Sequence, residues 1–452
     1  MWKPVFATDL NAEPDMWPNV VGGQQLSAAL LEQISRAGQT GVLRFWDELS
    51  PGEQAAFAHQ LAQVDWDLVA RWRSQDSSDG ERGTVQRANP PNHWIRCAKT
   101  ATEAADRLEA HHQGEALLRS GKLGVVLVAG GMATRLGVSQ PKGMFPIAPV
   151  SGRSLFQLFA EQVVALSRRY QVSIPYLIMT SDATHDETVS WFAEHASFGL
   201  DPADLFFFRQ GSEPAFDAQT GELLLASKSS LALSPDGHGG VLAAMTKSSL
   251  FAELKRRGVE TLFYHQVDNP LVHVCDPVFV GYHARHGADV STKVVSKRSP
   301  DERVGVVVEI DGRSEIVEYS DLPADLAAAR DPDGELRFRA GNTAIHLFQR
   351  AFLERTATAG TGLPWHRVLR RNSFVDVVGR VTHPDHVNAV KFERFIFDVL
   401  PLAKTSLVVE TEREREFAPL KNAEGECSPV EVQRAMTAVA TIRLNAAGIS
   451  VA

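Results

Sequence analysis

The sequence predicts an α/β protein built on a central, mostly parallel β-sheet, with a mostly helical N-terminal part and a small C-terminal β-containing domain. Three observations carry that reading. Short apolar runs alternate with amphipathic segments through the middle of the chain, the pattern of βαβ units. Ahead of them, apolar residues recur at helical spacing. After them, one strand-like run and one long helical segment close the chain. At 452 residues the chain is too long for one compact domain. The pattern divides it into residues 1–100, 101–400 and 401–452.

In the first region, Leu26, Leu30 and Leu31, then Phe57, Leu61 and Val64, mark helical faces. Residues 75–91 are rich in Ser, Asp, Gly, Asn and Pro and read as loop. A helix is expected from Thr102 to Ser120, stopped by Gly121. Strand Val125–Ala129 runs into a glycine-rich loop. Helix Ser154–Arg168, strand Tyr176–Thr180, helix His185–His195, strand Leu205–Phe208, helix Leu242–Arg257 and strand Leu262–Val267 follow. Val304–Ile310 and Glu315–Glu318 flank Asp311-Gly312 and read as a hairpin. Thr405–Thr411 reads as a strand and Val430–Ala446 as the closing helix.

Composition narrows the function. The formal net charge of −9 argues against nucleic acid as the partner. It leaves a nucleotide open, because local basic residues outweigh a global acidic field. No run of 18 apolar residues occurs, so no membrane span is expected, and the first residues hold no apolar run of signal-peptide length. Cys97, Cys275 and Cys427 are widely spaced with no CxxC pair, which points to neither a zinc site nor a disulfide framework and fits a reducing, cytoplasmic setting. The histidines form no metal pattern, and His265, His283 and His286 read as structural or surface residues. The run Glu410–Glu416 reads as a solvated, mixed-charge strand or hairpin.

The informative segment is the loop after the first strand, Ala129-Gly130-Gly131-Met-Ala-Thr-Arg135-Leu-Gly137, continuing to Pro141-Lys142-Gly143. Adjacent glycines let backbone N–H groups approach a phosphate without a Cβ in the way. Arg135 and Lys142 supply positive charge, and Pro141 stiffens the turn that presents Lys142. Gly-Gly alone would read as a tight turn at a strand end. The spacing is neither G-x-G-x-x-G nor G-x-x-x-x-G-K-[ST]. A hydride-transfer site also wants an acid about 20 residues on, and the nearest acid closing a strand is Asp182.

Taken with blocks further on, this loop resembles the UDP-sugar pyrophosphorylases, and within them the UDP-N-acetylglucosamine branch. The matching blocks are Met179-Thr-Ser181, Gln210-Gly211, Pro235-Asp-Gly-His-Gly-Gly240 and Val267-Asp268-Asn269. Further along come Val304-Gly305-Val306, Val317-Glu318-Tyr319-Ser320, Ala340-Gly341-Asn342, the run from Phe392 to Asp398 and the run from Phe417 to Ala423. They lie in order between roughly residues 105 and 425.

The resemblance implies a Rossmann-like nucleotidyltransferase domain and transfer of a uridylyl group from UTP to a sugar 1-phosphate, giving a UDP-sugar and pyrophosphate. It assigns uridine and phosphate contacts to Ala129, Gly130 and Gly131, uracil to Gln210, and close approach to the nucleoside to Gly237. Arg135, Lys142 and Lys421 would neutralise phosphate charge, with Lys421 reaching in from a separate C-terminal domain that closes over the substrate. His238, Gly305, Glu318 and Asn342 would line the sugar pocket. Asp268, at the end of an apolar strand, would hold Mg²⁺ or Mn²⁺. One position departs from the N-acetylglucosamine branch: His238 stands where that branch carries Asn, so glucose, galactose and N-acetylglucosamine 1-phosphates all remain open. A catalytically silent nucleotide-sugar-binding protein is the alternative from another class.

Overall fold

The computed structural model describes residues 26–74, 85–359 and 362–450. Residues 1–25 of the expected helical region and residues 75–84 of the expected loop lie outside the described residues. The chain forms two compact units, neither a continuous stretch. Unit 1 combines the segment before residue 80 with residues 211–240 and 364–395, and unit 2 holds residues 80–210, 241–363 and 396–452.

Unit 2 is built on a ten-stranded sheet. Its strands are β1 (Trp94–Ile95), β2 (Leu123–Val128), β3 (Tyr176–Thr180), β4 (Leu205–Arg209), β5 (Thr261–Gln266), β6 (Val290–Ser296), β7 (Val306–Ile310), β8 (Arg313–Val317), β9 (Ala340–Gln349) and β10 (Ser406–Glu410). The spatial order is β1-β10-β6-β9-β5-β2-β3-β4, with the β7–β8 hairpin joined to β9. Along that order only β9 runs antiparallel to its neighbours. The central strands are continuous apolar runs, Leu-Gly-Val-Val-Leu-Val in β2 and Tyr-Leu-Ile-Met-Thr in β3, and they are buried as strands covered on both faces must be. The core joins them to helices 101–119, 155–170 and 277–286 through residues such as Leu118, Phe159 and Phe279.

The first of these helices starts at a reciprocal cap, where Thr100 Oγ1 accepts from the Glu103 N–H and Glu103 accepts from the Thr100 N–H. It then crosses helix 277–286 at Gly114 and Gly281. A Cβ on either glycine would overlap a backbone carbonyl of the other helix, that of Pro277 or of Ala110. The helix expected over Leu242–Arg257 is two helices, 241–247 and 250–256, broken at Ser249 with φ +54°. Ser and Thr compete for backbone hydrogen bonds at such a break, and Thr246 Oγ1 donates back to the Leu242 carbonyl.

The division into residues 1–100, 101–400 and 401–452 differs from these two units. The C-terminal residues do not form a domain of their own. Strand β10, with Leu407, Val408 and Val409 all buried, inserts between β1 and β6 of the main sheet. The N-terminal helices 28–36, 51–62 and 66–74 share one core with residues brought from far along the chain. Trp72 stacks flat on Phe392, with ring centroids 4.1 Å apart. Phe216, Leu231 and Val375 complete that core. The small sheet of this unit pairs strands 366–370, 389–393 and 216–217.

Candidate active site

The glycine-rich loop leaves the middle of the sheet. β2 lies between β5 and β3, and where it ends the Ala129 N–H donates to the Met179 carbonyl at the end of β3. Gly130 follows in contact with Gln210: a Cβ at residue 130 would overlap the Gln210 amide oxygen. Ser181 Oγ donates to the Gly130 carbonyl at 2.8 Å, and the Gln210 N–H donates to Thr180 at 2.8 Å. Ala129, Gly130 and Gln210 therefore meet at the carboxyl ends of β2, β3 and β4, where α/β sheets bind ligands. Gly131 is exposed, with no protein atom near the place a Cβ would take. The loop closes on itself through Ala133 N–H to Gln140 and Lys142 N–H to Gly131, both at 2.9 Å.

Those bonds present Lys142, which is half-buried, not exposed. Burial pulls its ammonium below the ordinary lysine range; the Asp268 carboxylate opposes that shift, and the charges of Lys421 and Arg135 add to it. Arg135, Asp268 and Lys421 thus all lie within electrostatic reach of Lys142, and all four residues are in unit 2. Asp268 follows β5, half-buried, and among the described residues its carboxylate has no protein hydrogen bond. Lys421 does not come from a separate domain. The Leu420 N–H donates to the Asp268 carbonyl at 2.7 Å, and the Lys421 N–H donates to Cys427 at 2.8 Å.

Of the residues expected at the sugar, Gly305, Glu318 and Asn342 converge in unit 2. The Asn342 N–H donates to the Gly305 carbonyl at 2.8 Å, and a Cβ on Gly305 would come within 3.2 Å of Glu318. Asn342 sits where β9 bulges against β6: the register shifts between Lys293 and Val294, which face Ile345 and Asn342. Bulges re-aim side chains beside functional sites, and Thr343 Oγ1 secures this one by donating to the Lys293 carbonyl at 2.6 Å. Gly237 and His238 belong to unit 1. Gly237 has φ +82°, and its α-carbon packs on Arg394 so closely that a side chain would collide with the Arg394 backbone. The His238 ring stacks on Phe395 at 5.3 Å, and Phe395 stacks on His366 at 4.3 Å.

The family model described as UTP–glucose-1-phosphate uridylyltransferase matches residues 84–428, well over half of the chain. The chain belongs to that family. It is accordingly a uridylyltransferase of the UDP-sugar pyrophosphorylase kind. The human UDP-N-acetylhexosamine pyrophosphorylase-like protein 1 is 37% identical over 409 residues, covering 87% of this chain and 80% of its own. The UDP-N-acetylglucosamine pyrophosphorylase of Saccharomyces cerevisiae is 34% identical over 408 residues, covering 86% of this chain and 84% of its own. Among solved structures, the Trypanosoma brucei uridine diphosphate N-acetylglucosamine pyrophosphorylase in complex with an inhibitor aligns with a TM-score of 0.76 at 26% identity. That alignment covers 94% of this chain and 88% of the other.

Sequence reasoning missed what stands behind the site of this uridylyltransferase. The stretch 410–416 is not a solvated strand or hairpin. Residues 413–416 form a short helix, and Glu416 is buried. Its carboxylate accepts from Lys293 Nζ at 2.6 Å and from Thr411 Oγ1 at 2.9 Å. Lys293 also donates to Asp276 at 3.0 Å. Burial works against the Lys293 ammonium, but the Asp276 and Glu416 carboxylates overcome it, so its pKa lies above the usual lysine value. The one available signal was a lysine inside the valine-rich stretch Val290–Ser296. His265 and His283 are core residues: His265 packs on Phe159 at 4.7 Å, and His283 pairs with Ser291 at 2.8 Å. All three cysteines are unpaired. Among the described residues, no helix is long and apolar enough to cross a membrane, and no group of three or more His, Cys, Asp or Glu gathers as a metal cage.

Proposed function

We propose that the chain joins UTP to N-acetylglucosamine 1-phosphate, forming UDP-N-acetylglucosamine and pyrophosphate. The carrying observation is that Arg135, Lys421 and Asp268 all act on Lys142, whose loop follows the Gly130–Gln210 junction at the carboxyl end of the sheet. A phosphate oxygen of the sugar phosphate attacks the α-phosphorus of UTP. The bond from that phosphorus to the bridging oxygen breaks, and pyrophosphate leaves with the electron pair. Little proton transfer is required, so the protein contributes position and fixed positive charge. In this reading the backbone of Ala129, Gly130 and Gly131 and the amide of Gln210 receive the nucleotide. Arg135, Lys142 and Lys421 neutralise the phosphates, and Gly305, Glu318 and Asn342 receive the sugar.

Asp268 suits a divalent cation of the Mg²⁺ or Mn²⁺ type. Its carboxylate is uncommitted to any protein donor among the described residues. A single carboxylate completed by substrate phosphates is the usual way Mg²⁺ is held. When bound, the ion would neutralise charge on the phosphate oxygens. A chelator should abolish turnover and Mg²⁺ restore it.

N-acetylglucosamine is favoured by relatives at 34–36% identity that are named for UDP-N-acetylglucosamine. A second reading, glucose or galactose 1-phosphate, rests on His238. The test is pyrophosphate release from UTP with a panel of sugar 1-phosphates, with N-acetylglucosamine 1-phosphate expected to lead. His238→Asn should leave that order unchanged; a shift of more than about threefold in the ratio of kcat/KM between the glucose and N-acetylglucosamine substrates would make His238 the selector. UDP-sugar binding with no pyrophosphate release from any of them would favour the silent binder.

A further inference from the structure

Lys421 is exposed, yet the chain just ahead of it is fastened to the end of β5. Asn269, next to Asp268 and itself buried, donates through Nδ2 to the Glu416 carbonyl at 2.8 Å and accepts on Oδ1 from the Ala418 N–H at 3.1 Å. With the Leu420 N–H on the Asp268 carbonyl, residues 416–420 are bonded at three points to the two residues that close the strand. Behind them stands the buried ion network. Lys293 holds the Glu416 side chain, and its own carbonyl holds Thr343 at the bulge next to Asn342.

A buried ion network is weak evidence for stability, because desolvation opposes its Coulombic gain. Its value lies in allowing one arrangement and no other, and here that arrangement sets three site residues at once. A long lysine side chain cannot be preorganised by itself, whereas the backbone it springs from can be. We propose that Asn269 and the Lys293–Glu416 pair are positioning residues, which hold Lys421 and Asn342 in register with Asp268 before substrate arrives. The inference rests on the reaction assigned above. It replaces the sequence-based expectation that the Lys421 segment swings in from another domain.

The test is a double-mutant cycle between Asn269→Ala and Lys421→Ala. Groups acting through one another are non-additive. In the otherwise unchanged enzyme, Asn269→Ala should lower kcat about tenfold with KM for UTP held within about threefold, the signature of misplacement and not of lost binding. In the Lys421→Ala background the same change should alter kcat by less than about twofold. Full multiplication of the two losses overturns the proposal while leaving the reaction intact. Amide exchange of residues 416–421 in the ligand-free enzyme supplies a readout independent of turnover. It should be slow in the parent and faster in Asn269→Ala; unchanged exchange also overturns the proposal. Should Asn269→Ala not fold, Glu416→Gln, which keeps the volume and removes the charge, carries the same cycle with the same outcomes. Absence of pyrophosphate release by the parent enzyme would instead sink the assigned reaction, and this proposal with it.

Discussion

Lys142 shows how far a single residue can be read. Its motif named it, but only the structure shows it half-buried, with the Asp268 carboxylate working against the cost of burial. A preorganised charge in such a place contributes heavily to the transition state, so Lys142→Ala should lower kcat by about 10²-fold or more. Steady-state turnover at saturating substrates measures it, and near-parental turnover would remove Lys142 from the site. The buried histidines give a pH prediction. Burial brings His265 down to about 3 and His283 to about 4, so both are neutral in the fold, while in the unfolded chain they take up protons below about 6.5. The unfolded state then binds the extra protons, and stability falls as pH drops from about 6.5 towards 4. His265→Leu should shrink the difference in urea midpoint between pH 7 and pH 5; an equal difference in parent and variant would refute it. Asn269 and Glu416 were given no role in the site because nothing local marks one. Asn269 passes for the turn residue before Pro270, and Glu416 hides among charged neighbours that are mostly solvated.

Elements were legible where one local signal sufficed. Strand Tyr176–Thr180 falls where its apolar run ends, and helix 101–119 begins at its Thr100–Glu103 cap and ends one residue short of the expected Ser120. The break at Ser249 and the short helix 413–416 were not legible, because polar residues fit either state and tertiary contacts decide. Packing between elements is less visible still. The crossing of helices 101–119 and 277–286 depends on two glycines that read from sequence only as weak points in a helix. Gly281→Ala would improve helix propensity yet drive a methyl into the Ala110 carbonyl. Overpacking of this kind costs about 1–3 kcal/mol, so thermal unfolding should show a lower Tm for Gly281→Ala. A raised Tm would mean that the two helices are free to separate.

At the scale of the whole chain, the α/β class was plain from alternation, but the partition into units was not. Pairing of Val290–Ser296 with Ser406–Glu410 spans more than a hundred residues and leaves no local mark, nor does the stacking of Trp72 on Phe392. A fragment of residues 101–400 should therefore fail to fold as a domain: it lacks β10, the strand between β1 and β6. Its circular dichroism melt should show no cooperative transition, and a sharp one would restore the three-region division. The late position of that strand also bears on how the protein is made. On the ribosome β6 emerges roughly a hundred residues before β10, a wait of about 5–20 s at ordinary elongation rates. Throughout that interval at least one edge of β6 is unsatisfied, the kind of surface that pairs with other chains. β1, which pairs with β10 at the edge of the sheet, waits longer still. The nascent polypeptide must consequently be shielded until β10 is delivered, and its yield in a cell should track chaperone supply more closely than the stability of the finished enzyme.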